Sequence, residues 1–157
     1  DIGGQDIKAI SIDENGAVKN FLMNDKCAAG TGRFLEMMAK TMEMSLDELS
    51  KVGLSYQEDI TISSMCTVFA ESEVVSLIAQ NKATDDIVHG LNKAVAAKTA
   101  SLVKRVGGEE AYMMTGGVAQ NQGLVKTLEE RLGTKLVISD KSQLCGALGA
   151  ALFATEM

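Results

Sequence analysis

Apolar and polar positions alternate with period two over Ile7 to Asp13 ("IKAISID") and again over "VKNFLM". Between them "ENGA" turns through Asn15-Gly16, so the pattern predicts a β-hairpin. The rhythm then becomes helical. In "TGRFLEMMAKTM" the residues Phe34, Met37, Met38 and Met42 share one face, and "SLDELSKVG" offers a capping box of Ser45 and Glu48. Residues 54–63 have no clear period. From Cys66 to Gln80, Phe69, Val74, Leu77 and Ile78 fall at helical spacing and are expected to face the core. The longest stripe, Ile87, Leu91, Val95, Leu102 and Val106, predicts a helix from Thr84 to Val106, with Asp85 and Asp86 at its positive end.

The last third alternates strand and helix. "AYMMTGG" reads as a short buried strand, "NQGLVKTLEERLG" as a helix closed by Gly133, "KLVIS" as a strand and "QLCGALGAALFAT" as a small-residue helix. A β–α–β–α order implies a parallel pair of strands. Hairpin, helices and parallel pair together predict an α/β layered domain.

Composition narrows the function classes. The chain has 157 residues, 46% of them hydrophobic and 23% charged. A domain this long buries roughly 70% of its unfolded surface and needs no staples. No apolar run has the length of a membrane span, and no signal peptide is recognisable. The net charge of −6, with no basic stripe interleaved with aromatics, argues against a nucleic-acid surface. Three widely spaced cysteines favour a reducing, cytoplasmic setting over a disulfide framework. The chain opens on "DIGGQD" without an initiator Met, as a segment of something longer would.

Candidate chemistry gathers at two glycine loops and two cysteines. "DIGGQD" and "TGGVAQN" each follow a short strand with paired glycines and polar side chains. Glycine lets backbone N–H groups approach an oxyanion, and a helix starting after the second loop would aim its amides at the same space. Asp1 and Asp6 suit Mg²⁺ held through water, and Gln5 could orient an attacking water in phosphoryl transfer. Either loop alone could equally be a tight turn. Cys27 and Cys66 each stand at an expected helix N-terminus, where the dipole favours a thiolate. On these residues alone, two packed small side chains or a metal site both remain open, although a zinc site lacks its usual paired spacing. Cys145 is expected to pack as a small hydrophobe on its helix. His89, the only histidine, is expected to be solvated or half-buried without a partner, and the nine methionines to fill the core. Arg33 follows Gly32 near Cys27, and Glu71 and Glu73 are expected in the first turns of the Cys66 helix.

Taken together, "DIGGQD", "NDKCAAGTGRF", "ISSMCTVFAESEV", "TGGVAQN" and "QLCGALGAAL", in this order, resemble one family. It is the iron–sulfur ATPase family that activates 2-hydroxyacyl-CoA dehydratases and includes ATP-binding subunits of benzoyl-CoA reductases. The resemblance covers essentially the whole chain. Lys141-Ser142 and Cys145 depart from the proline and threonine commoner in the last motif. The resemblance implies an RNase H-like domain of the actin/sugar-kinase/Hsp70 superfamily, with a mixed sheet and flanking helices. It implies ATP or ADP with Mg²⁺, Gly3, Gly4 and Gln5 in the second phosphate loop, and Gln5 in the catalytic role. Gly117, Val118, Ala119, Gln120 and Asn121 would form the adenosine loop, with Gln143 near the nucleoside. The first phosphate loop would lie in an N-terminal partner domain that has no counterpart in these residues.

The resemblance also implies one [4Fe–4S] cluster bridging a homodimer through Cys27 and Cys66 of each copy. A cluster of this kind takes four thiolates, and two symmetry-related copies supply them. The implied activity is ATP-dependent transfer of a low-potential electron to a 2-hydroxyacyl-CoA dehydratase or related reductase. The donor would be a ferredoxin or flavodoxin. Two other expectations are an iron–sulfur carrier or scaffold module without effective ATPase activity, and a sugar-kinase-like or Hsp70-like nucleotide domain that never carries iron.

Overall fold

A computed structural model describes residues 1–24, 26–63 and 66–155. The hairpin forms from β1 (Ile7–Ile12) and β2 (Val18–Asn24), paired antiparallel from Ile7 opposite Asn24, with an irregularity between Ser11 and Ile12. The turn is organised by Asp13, whose Oδ1 accepts from the N–H groups of Asn15 and Ala17, both at 2.9 Å. Gly16 takes φ +82°, a left-handed conformation that suits glycine. Period-two alternation has its usual consequence: Ile7 and Ala9 are buried, while Ile10 and Ile12 point outward.

Five helical segments are where their periodicity places them. They are α1 (Gly32–Thr41), α2 (Leu46–Lys51), α3 (Thr67–Ala79), α4 (Thr84–Val106) and α5 (Gln122–Leu132). The Ser45–Glu48 capping box is complete and holds the Glu48 carboxyl below its usual range, first through the backbone hydrogen bond at Ser45. All five stripe residues of α4 are buried. That helix lies along the hairpin and α5, so it is the spine of the core. β3 (Tyr112–Met114) and β4 (Leu136–Ile138) pair in parallel across α5, as a βαβ order requires.

The two ladders are stitched together by Ile2. It bridges antiparallel to Ile7, and its N–H donates to the Thr115 carbonyl at 3.0 Å. The mixed sheet therefore exists as two two-stranded ladders joined at one fully buried residue.

Several expectations fail on packing. Phe69 and Ile78 were placed on a core stripe of α3, yet Phe69 is 67% exposed and Ile78 also faces outward. Val74 is buried as its spacing predicts and Leu77 is partly buried, while Ala70 completes the inward face, because a mostly apolar helix leaves its inward side undetermined by pattern alone. Cys145 opens α6 (Cys145–Thr155), a helix with no buried residue, and is half-exposed rather than packed. His89 is buried, not solvated. Its ring stacks on Tyr56 at 3.5 Å and 6°, with Asp59 Oδ1 3.7 Å from Nε2. Glu71 and Glu73 fall within the first two turns of α3, as expected, where Glu71 accepts from the Thr41 hydroxyl and Glu73 from the Ser63 N–H.

Candidate functional site

Four of the five motif segments meet at one end of the sheet. The first glycine loop enters from Ile2 and is closed by Gly3 N–H donating to the Asp6 carbonyl at 3.0 Å. Its two glycine carbonyls accept from the first turn of α1: Gly32 N–H to Gly3 at 2.9 Å and Arg33 N–H to Gly4 at 2.8 Å. The close approach depends on Gly32, since a Cβ there would lie 3.2 Å from both the Gly3 oxygen and the Gly4 Cα. From the other side, Val118 N–H donates to the Ile2 carbonyl at 3.3 Å, and Gly116 N–H to the Ser142 carbonyl at 2.9 Å. Gly116, at φ +88°, touches Ile2 so closely that a Cβ would sit 2.3 Å from its carbonyl oxygen. Gln143 completes the group, its Nε2 3.1 Å from where a Gly117 Cβ would be.

Gly4, Gln5, Gly117, Gln120 and Gln143 are exposed around this junction, Gly3 is partly covered, and Val118, Ala119 and Asn121 are buried. The helix behind the second loop begins directly after it, as expected: the loop itself holds a 3₁₀ turn (Gly117–Gln120), and α5 starts at Gln122. Its first amides are already used: Asn121 Oδ1 caps Leu124 N–H at 2.9 Å, and Gln122 N–H donates to the Ser50 hydroxyl at 3.3 Å. Asn121 thus supports the loop from below.

Electrostatics at the first loop centre on Lys8, which motif reading missed. Its ammonium is 3.5 Å from Asp1 Oδ1 and also pairs with Asp6, while the Thr115 hydroxyl donates to Asp1 Oδ2 at 2.8 Å. The two carboxylates are held by Lys8 rather than open to a cation. The signal was available in the alternation, because Asp6 and Lys8 fall on the same side of an extended chain.

The cysteines occupy different settings. Cys66 is the N-cap residue of α3, and Cys27 lies in the loop that leads into α1 through Thr31; both are exposed. The α1 amides expected to serve Cys27 are partly consumed by the Gly3 and Gly4 carbonyls. In their place the loop is pinned by Asn24, Thr31 and Lys98, whose donors reach the carbonyls of Cys27, Ala28 and Ala29. As exposed soft donors without a disulfide, both thiols fit half of a four-thiolate iron–sulfur site, whereas Cys145 sits apart on α6. Arg33 pairs with Glu36 at 2.8 Å on the exposed face of α1.

Glycine loops at strand ends, interlocked with one helix start, together with exposed thiols at Cys27 and Cys66, define a cysteine-bearing α/β domain. The chain belongs to the BadF/BadG/BcrA/BcrD ATPase family, whose model matches residues 1–154. It is 51% identical over 156 residues to the 2-hydroxyisocaproyl-CoA dehydratase activator of Clostridioides difficile, covering 99% of this chain and 59% of that protein. It is 50% identical over 154 residues to the (R)-2-hydroxyglutaryl-CoA dehydratase activating ATPase of Acidaminococcus fermentans, covering 98% and 59%. A solved structure, the activator of the 2-hydroxyisocaproyl-CoA dehydratase from Clostridium difficile with bound ADPNP, superposes with a TM-score of 0.94 at 50% identity. That match covers 99% of this chain and 58% of that one. The fold is accordingly the RNase H-like α/β fold of the actin/Hsp70 superfamily. The chain spans about three fifths of the length of the relatives it matches.

Proposed function

We propose that this chain is the nucleotide- and cluster-binding part of an ATP-dependent activator of a 2-hydroxyacyl-CoA dehydratase or a related reductase. The observation that carries the reading is the double hydrogen bond from Gly32 and Arg33 to Gly3 and Gly4. It ties a phosphate-type loop directly to the segment that bears Cys27. Family membership, and relatives named as dehydratase activators, support the same reading.

In this reading Gly3, Gly4 and Gln5 form a phosphate loop, and Gln5 orients the attacking water. Gly117, Val118, Ala119, Gln120 and Asn121 with Gln143 flank the nucleoside of ATP or ADP. Asp1 and Asp6, once released by Lys8, are the carboxylates suited to Mg²⁺. Cys27 and Cys66 supply two thiolates, and a second copy the other two, for one [4Fe–4S] group on a two-fold axis. Such a group would supply one-electron chemistry at low potential. A first phosphate loop would lie in the part of the relatives' length that this chain does not span. ATP would bias the interface between two copies, and the electron, received from a ferredoxin or flavodoxin, would pass to the partner enzyme. The setting would be cytoplasmic and anaerobic. No helix among the described residues is long and apolar enough to cross a membrane.

The test is iron and sulfide content after anaerobic reconstitution. About four iron per two chains are expected. Cys27→Ser or Cys66→Ser should each abolish the group, and Cys145→Ser should leave it intact. Loss of iron with Cys145→Ser as complete as with the other two would sink the ligand assignment.

A further inference from the structure

Three successive carbonyls in the cysteine loop are captured by donors from three different elements. Asn24 Nδ2, at the end of β2, reaches Cys27 O at 3.0 Å. Thr31, the N-cap of α1, reaches Ala28 O through its hydroxyl at 2.6 Å and its N–H at 3.0 Å. Lys98 Nζ, from the middle of α4, donates to Ala29 O. Gly30 then turns at φ +86°, and a Cβ there would lie 3.2 Å from Lys98 Cδ and 3.3 Å from Ile7 Cδ1. The lysine stem therefore packs under Gly30 while its head holds the preceding carbonyl.

Two consequences follow from this arrangement. With the carbonyls turned toward their donors, the N–H groups of Ala28, Ala29 and Gly30 donate no hydrogen bond among the described residues. Successive unpaired amides around a left-handed glycine leave partial positive charge that favours negative charge nearby. In addition, Lys98 forms no ion pair among the described residues, and it is half-buried. Lys93, on the same helix, shows the alternative, since its ammonium is paired with Asp59. The charge of Lys98 is delivered to the base of the cysteine loop with only a neutral carbonyl against it.

We infer that Lys98 is a positioning residue for the Cys27 loop and the fixed positive charge that favours the reduced form of a thiolate-held centre there. The inference rests on Cys27 being a cluster ligand. An unpaired cation in partly excluded solvent acts at closer to protein than to water screening, so its effect reaches a centre held two residues along the chain. It also favours whichever redox state carries the extra negative charge.

Three substitutions separate anchoring from charge. Lys98→Arg keeps both, Lys98→Gln keeps a donor without charge, and Lys98→Met keeps only the stem. In the anaerobically reconstituted chain, the one-electron midpoint potential is read by titration with titanium(III) citrate under electron paramagnetic resonance. It should fall in Lys98→Gln and Lys98→Met and stay at the unsubstituted value in Lys98→Arg. A merely structural lysine would change thermal stability and iron content without moving the potential. If Lys98→Met retains no iron, Lys98→Gln decides the charge. In the iron-free chain, amide exchange over residues 27–31 should speed up several-fold in Lys98→Met and not in Lys98→Arg. Equal potentials in all variants would overturn the charge, and unchanged exchange would overturn the anchoring. Failure of the unsubstituted chain to take up iron would overturn the cluster reading and this inference with it.

Discussion

His89 shows how burial changes a side chain's chemistry. Desolvation pushes its imidazole below the ordinary histidine range, against the opposing pull of Asp59 and, more weakly, Glu130 and Asp86; Lys93 adds to the lowering. The folded state therefore binds a proton less readily than the unfolded chain, where the value is about 6.5. Stability from the Tyr56 stack is fully present above that value and is lost as pH falls below it toward the folded value. Comparing urea midpoints at pH 7.5 and pH 5.5 should show a larger drop for the unsubstituted chain than for His89→Gln. An equal drop would mean that the ring titrates as though exposed. Gly116 and Gly32 make the complementary point. Neither Gly116, within its Gly-Gly pair, nor Gly32, after Thr31, has a role legible from its local sequence, yet the Ile2 backbone leaves no room for a Cβ at Gly116, and at Gly32 the Gly3 and Gly4 backbone would stand only 3.2 Å away.

At the scale of elements, the contact that matters most is between the start of α1 and the first glycine loop. The hairpin also connects that loop to Cys27, but through the whole length of β1 and β2. Two backbone hydrogen bonds cover the same separation directly. Gly32→Ala would force that junction apart by a few tenths of an ångström. It should speed amide exchange at Gly32 and Arg33 and, on the proposed cluster reading, quicken iron loss to a chelator. Ser45→Ala serves as the contrast. Removing that cap from α2 should cost about 1 kcal/mol of stability while leaving chelation rates unchanged. Equal effects of both variants on chelation would show that α1 reports global loosening and carries no specific link.

For the whole molecule, exposed apolar surface is the telling feature. Val68 and Phe69 stand 64% and 67% exposed, within one turn of Cys66. The start of α3 is thus both thiol-bearing and apolar. Such a surface suits a self-complementary contact, which a two-fold axis through the cysteines requires. On the proposed two-copy reading, Phe69→Asp should shift sedimentation toward the monomer and lower iron retention by several-fold, with little change in thermal stability because the side chain is outside the core. A variant that stays dimeric and iron-replete would remove this face from the interface.

The chain's own pattern determined the elements and the family. Period-two alternation is enough for β1 and β2 because one sheet face must be buried, and the five-residue stripe is enough for α4 because only one inward orientation buries it. The motifs were legible because five of them occur together in one order, and because some of their glycines, Gly116 above all, stand where a Cβ would meet backbone. Only the tertiary structure decided which face of α3 turns inward, why His89 is buried, and that Lys8 pairs with Asp1 and Asp6 while Lys98 holds the Ala29 carbonyl. Apolarity all round a helix leaves its rotation open until neighbours pack against it, and a histidine's burial depends on a partner, Tyr56, from a loop without periodicity. Lys98 reaches Ala29 across 69 positions of sequence. No local pattern encodes such a contact, because it exists only once α4 has been laid along the hairpin by its buried stripe.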